Sequence, residues 1–168
     1  LLVFLFLLQF VILPQNSFIR QITSGDFDAR NPFIYKNEFG YNSQMFFFFY
    51  SNGYSNIYFI SYNSDSGEFE DTTSITSNIF QNINPSYETD AGLLFQTNQN
   101  GNWDIVLIPD SNGIFSDPIF LTNYASDEIF PKFFESTNMF RDSINILFKR
   151  QNEIIFLTYN QNQVNEEI

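Results

Sequence analysis

Residues 121–131 read LTNYASDEIFP, and the frame they carry decides the fold. An aliphatic–Thr pair is followed nine positions later by Pro. The same frame stands at residues 75–85, ITSNIFQNINP, and at residues 22–32, ITSGDFDARNP. The markers are Thr23 with Pro32, Thr76 with Pro85 and Thr122 with Pro131, and successive Thr residues lie 53 and 46 positions apart. Three equal spacings at a near-constant period identify a repeat.

Between the frames the order of elements also recurs. After each Pro comes a short mixed strand: Phe33-Ile34-Tyr35, Ser86-Tyr87 or Lys132-Phe133-Phe134. A strongly apolar strand follows at 44–51, 92–98 or 143–150, then a third at 56–62, 104–108 or 153–159. Turns at Asp65-Ser66-Gly67 and at 110–113 lead to a fourth strand ending on the Ile/Leu–Thr pair. Ser-Gly and Asn-Gly suit hairpin turns because Gly accepts the positive φ they need. The run Phe46 to Phe49 does not alternate, which predicts burial on both faces. No stretch carries capped helical periodicity, and Asn, Thr, Tyr and Phe disfavour helix.

Four antiparallel strands per repeat, handed on by a loop, predict an all-β chain and a partial β-propeller. Its blades would span 31–76, 84–122 and 130–168, the third incomplete. A β-sandwich is the rival, but it gives no reason for this period. Residues 18–23 align with a fourth strand that has no strands before it, which predicts a closing strand for the last blade. Rings need about four to eight blades, so the reading expects the intact protein to continue beyond Ile168.

Composition narrows the chemistry. Seven Lys and Arg against 19 Asp and Glu give a formal charge of −12. That sign opposes nucleic acid and anionic membrane surfaces, which recruit basic patches. Cys and His are absent, so this chain supplies no disulfide, thiol nucleophile, His base or Cys/His metal site. Any catalysis would rest on carboxylates, Lys or Tyr, and neither a cofactor nor a metal is expected. Residues 1–13, LLVFLFLLQFVIL, are too short for a membrane span but fit the apolar region of a signal peptide. The segment 1–17 therefore predicts export to the periplasm or exterior, with no stable membrane insertion after cleavage.

The segment 98–114, followed by 121–132, resembles a TolB-like or WD40-like propeller repeat. The features that carry the resemblance are Pro85 with Tyr87, Leu94-Phe95, Gly101-Asn102-Trp103-Asp104-Ile105 and Leu121-Thr122. The first repeat matches through Asn31-Pro32, Phe48-Phe49, Asn56-Ile57-Tyr58 and Ile75-Thr76. The third matches through Pro131, Leu147-Phe148 and Glu153-Ile154-Ile155. The Ser-Pro-Asp-Gly turn of that family is missing, and Thr89-Asp90-Ala91-Gly92 stands in its place. The resemblance implies the propeller fold and names no single task.

In such a fold the fourth-to-first and second-to-third connections share one face, where loops hold binding groups. The polar residues expected there are Asp26, Asp28, Arg30, Gln81, Asn82, Asp127 and Glu128; solvated loop or contacts between blades is the plainer reading of them. Asn98-x-Asn100-Gly101-Asn102-x-Asp104 has one carboxylate and no terminal Glu, so a hairpin turn fits it better than a calcium loop. No phosphate-cradling loop or nucleophile elbow occurs. The expected function is a non-catalytic, exported binding module docking a protein or glycan. The alternative is an accessory propeller of a larger secreted hydrolase.

Overall fold

The computed structural model of the chain describes residues 28–35, 43–63, 65–89, 91–111, 113–134, 143–160 and 163–167. The segment 1–17 expected as a signal peptide and the segment 18–23 expected as a closing strand lie outside these residues. Among the described residues there is no helix, and the strands form three larger antiparallel sheets in succession and one separate two-stranded hairpin. The first sheet orders β1 (Asp28–Tyr35), β2 (Ser43–Ser51) and β3 (Tyr54–Asn63), with β4 (Glu68–Phe69) and β5 (Thr73–Ser74) both paired to β3. The second orders β6 (Asn82–Glu88), β7 (Gly92–Thr97) and β8 (Asp104–Ile108). A small hairpin, β9 (Asp110–Ser111) with β10 (Ile114–Phe115), then precedes its fourth strand, β11 (Ile119–Phe120). The third runs β12 (Glu128–Phe133), β13 (Ile144–Arg150), β14 (Glu153–Asn160) and β15 (Gln163–Glu167). Its β15 pairs along β14 from Phe156 to Asn160, without a Thr marker.

The Thr marker has a physical cause. Leu121 and Thr122 both donate their N–H to the Ile105 carbonyl, at 2.8 and 3.4 Å. The Ile105 N–H donates to Thr122 Oγ1 at 2.8 Å. A side-chain oxygen thus closes the ladder where the fourth strand ends and the chain leaves for the next sheet. The first sheet repeats this: Ile75 and Thr76 bond the Ile57 carbonyl, and the Ile57 N–H donates to Thr76 Oγ1 at 2.8 Å.

The Pro marker also has one. In each first strand two residues oppose one on the partner: Asn31-Pro32, Asn84-Pro85 and Phe130-Pro131 are β-bulges. The residue before each Pro has positive φ: 48° at Asn31, 56° at Asn84 and 58° at Phe130. A bulge leaves one residue out of the ladder, so a Pro without an N–H is tolerated there. The first strands therefore run through the Pro instead of starting after it. This corrects the expected loop positions of Asp28, Arg30, Asn82 and Glu128, which all stand in strands.

The middle sheet is apolar on both sides because it is packed on both sides. Leu93, Phe95, Val106 and Ile108 join Phe46, Phe48, Ile57 and Tyr87 in the core against the first sheet. Leu94, Ile105 and Leu107 join Leu121, Ile146, Phe148, Ile155 and Leu157 in the core against the third. Successive residues of β7 and β8 thus serve alternate cores, and every one is buried. In β2, Phe46 stacks on Tyr87 at 4.6 Å between centroids, while Phe47 turns to the opposite face beside Phe49 and Tyr58. The β2–β3 hairpin turns on Asn52-Gly53, both at positive φ (51° and 87°), the geometry a two-residue hairpin requires. Gly92, at φ 120°, lies so close to the Ile108 carbonyl and the Pro109 backbone that any Cβ would overlap them.

Candidate functional site

The three first strands meet along one line. β6 packs against β1 on one side and β12 on the other. Their bulges are tied by side-chain amides: Asn31 Nδ2 donates to Asn84 Oδ1 at 2.6 Å, and Asn84 Nδ2 donates to Gln96 Oε1 at 2.8 Å. The same Gln96 oxygen accepts the Phe130 N–H at 2.8 Å. Gln96 is buried and replaces the apolar Phe48 that stands at the equivalent register position of the first sheet. A further link joins the outer sheets: the Lys132 ammonium of β12 sits 5.4 Å from the Phe33 ring of β1. Partial desolvation there pushes the Lys132 ammonium below the usual lysine range.

The residues expected from sequence divide by location. Asp26 lies outside the described residues. Asp28 and Arg30 are exposed partners on β1: Arg30 Nε donates to Asp28 Oδ2 at 2.7 Å and the guanidinium lies 5.3 Å from the Tyr50 ring. The hydrogen bond from Arg30 holds the Asp28 carboxyl below the ordinary carboxylate range. Gln81 and Asn82 join the first two sheets. Ser55 N–H donates to the Phe80 carbonyl, and Ser55 pairs with Gln81 in a parallel bridge. The buried Asn82 Nδ2 reaches the Ser55 carbonyl at 3.1 Å and Asn78 Oδ1 at 2.8 Å. Asp127 and Glu128 form the matching joint between the second and third sheets. Trp103 N–H donates to Asp127 Oδ1 at 3.0 Å, and the Glu128 N–H donates to the Trp103 carbonyl at 2.7 Å.

Glu128 also anchors an ion network. Arg150 Nε donates to Glu128 Oε1 at 2.9 Å, and its two terminal nitrogens grip Glu166 bidentately, each at 2.9 Å. The guanidinium lies 4.0 Å from the Tyr124 ring. The Glu166 hydrogen bonds, with help from Glu128, hold Arg150 firmly protonated. Asp104 is likewise engaged, by the side-chain amides of Asn100 and Asn102 at 2.8 and 3.2 Å. The segment 98–104 is a hairpin turn, with Gly101 N–H donating to the Asn98 carbonyl. It is tied to the neighbouring loops by Gln81 N–H to Asn98 Oδ1 at 2.8 Å and by Asn102 Nδ2 to the Tyr124 carbonyl at 2.8 Å. Among the described residues no group of three or more acids is placed to hold a metal.

Beside the second joint opens a groove of about 420 Å³ lined by Ala125, Ser126, Asp127, Ile129 and Gln151. Of the residues expected from sequence, Asp127 is the one that lines it. Sequence reasoning missed Asn31, Asn84, Gln96, Phe130 and Lys132. Two signals pointed to them: an Asn before Pro in two repeats but Phe in the third, and a lone Gln inside the apolar strand GLLFQT. Comparison with protein-family models and with curated proteins finds no match for this chain.

Proposed function

We propose that the three sheets are consecutive blades of a β-propeller of the TolB-like or WD40-like kind, serving as an exported, non-catalytic binding module. Its partner is a protein or glycan at the cell envelope or exterior. The observation that carries the reading is the convergence of the first strands. The amide line joins all three bulges, and Lys132 of the third sheet reaches Phe33 of the first. Sheets stacked in parallel would keep the first and third a full sheet apart, about 20 Å across two spacings.

A second observation supports the same arrangement. The strand–loop joint recurs between sheets one and two and between two and three, at Ser55 and Trp103. Ile57 and Ile105, which follow the joints by two residues, are 0% exposed. At the equivalent place of the third sheet, Ile154 is 64% exposed. That face has the chemistry of a blade surface awaiting a neighbour. The non-catalytic half of the reading is supported by the engagement of Asp28 with Arg30, of Glu128 and Glu166 with Arg150, and of Asp104 with the Asn100 and Asn102 amides. The test is capture of a partner from envelope extract by the immobilised chain, beside an assay with peptide and glycoside substrates. Saturable capture without turnover is expected, and hydrolysis abolished by one carboxylate substitution would overturn the reading.

A further inference from the structure

The two joints between sheets share one register but are filled differently. The same positions hold Asn82 opposite Thr97 in the second sheet and Glu128 opposite Arg150 in the third. At the second joint Arg150 fills the space between sheets. Its guanidinium lies 4.0 Å from the Tyr124 ring and 5.4 Å from the Phe148 ring, and Glu128 and Glu166 hold its nitrogens. At the first joint each of these groups is exchanged. Thr97 stands in the place of Arg150, Asn82 of Glu128 and Phe95 of Phe148. Asn78 takes the place of Tyr124, two residues after the Thr marker, and Pro118 takes that of Glu166 on the fourth strand. All five of these residues line one pocket of about 200 Å³. The pocket is thus the space that an arginine fills at the next joint and that a threonine is too short to fill. Thr97 is 2% exposed, and its Oγ1 has no hydrogen-bond partner among the described residues. A buried hydroxyl without a partner is costly, so one on a pocket wall marks a place for a ligand atom.

The geometry points to a ligand site between the first and second sheets for a small aromatic amide: a flat, uncharged group whose polar end meets Thr97 Oγ1. The site depends on the register of two adjacent sheets and goes beyond the reading of the chain as a module for an envelope partner. A flat ligand fits because the equivalent space takes the plane of a guanidinium beside Phe148, and Phe95 offers the same ring here. An uncharged one fits because both carboxylates are replaced and no charged side chain stands among the described lining residues. An ion would be buried there unpaired. Ile75, Val106, Ile108 and Phe120 supply apolar wall, against which water alone finds few partners. The exposed side chains of Gln99 and Phe120 give access from solvent.

The test titrates the full chain, labelled at its Ile and Val methyls, with benzamide and separately with its charged analogues benzamidine and benzoate. Benzamide should give saturable shifts centred on the Ile75, Val106 and Ile108 methyls, with both charged analogues at least fivefold weaker. Thr97→Val keeps the shape and removes the unpaired oxygen; it should weaken benzamide at least threefold while the thermal midpoint stays equal or rises. Thr97→Leu, which fills the space, should abolish binding; the titration of the parent and Thr97→Val decide the matter if that variant misfolds. No saturable shift at those methyls overturns the site, with water as its sole occupant, and leaves the partner reading intact. Benzamidine binding as tightly as benzamide overturns the assignment of an uncharged ligand. Unchanged affinity in Thr97→Val overturns the contact with its hydroxyl.

Discussion

Replacing Thr122 by Val tests the physical meaning of the repeat frame. Ile105 is fully buried, and its N–H has Thr122 Oγ1 as acceptor at 2.8 Å. Val fills the same space with a methyl and removes the oxygen, so the N–H is left buried and unpaired. An orphaned buried donor costs about 1–3 kcal/mol. The added methyl returns less than about 1 kcal/mol. The net loss expected is therefore roughly 1–2 kcal/mol, taking those two terms together. Thr76→Val should cost about 1 kcal/mol more, because Thr76 Oγ1 also donates to the buried Asn56 Oδ1 at 3.1 Å. Urea unfolding followed by the single Trp103, two residues before Ile105, reads the loss as a lower midpoint at unchanged slope. Hydrogen exchange should quicken at the Ile105 amide. A Thr122→Val protein within about 0.5 kcal/mol of the parent, a loss below the cost of one orphaned donor, would refute the reasoning.

Further substitutions probe other joints. Arg150→Met should destabilise by about 3–5 kcal/mol by stranding the fully buried Glu128 carboxylate, and Glu128→Gln in the same chain should recover much of it; a double-mutant cycle by chemical unfolding measures this. Gly92→Ala should cost about 3 kcal/mol, since the backbone at φ 120° and the Ile108 carbonyl both exclude a Cβ; thermal unfolding reads it. Carbon-detected titration should find Asp28 ionising below 3.8, and Arg30→Gln should restore the ordinary value. The folded carboxyl is the depressed one, so this contribution is present above 3.8 and disappears as pH falls through the folded value.

The Thr–Pro frame made the division into three sheets legible because both markers answer local backbone needs. Thr122 and Thr76 close ladders, and each Pro sits in a bulge. The non-alternating Phe46–Phe48 run and the wholly buried β7 likewise reflect cores on both sides of a sheet. The bulge itself was not legible. A Pro suggested the end of a loop, whereas a left-handed residue before it lets the strand pass through. That one error moved Asp28, Arg30, Asn82 and Glu128 from loops into strands. It also hid the amide line, since Asn31, Asn84 and Phe130 become neighbours only when the bulges align across sheets. Asp127 reached the groove because the loop before β12 is set by its bond to Trp103, a contact between repeats that no local pattern encodes.

The central claim is that the sheets radiate from their first strands. The absence of Cys from the chain allows clean pairs of introduced labels. Electron–electron distance measurement on an inner pair, Phe33→Cys with Lys132→Cys, and an outer pair, Thr73→Cys with Asn165→Cys, tests it directly. The account predicts a short inner distance and a much longer outer one, as blades diverge. Equal distances for the two pairs, the mark of sheets stacked face to face, would contradict it.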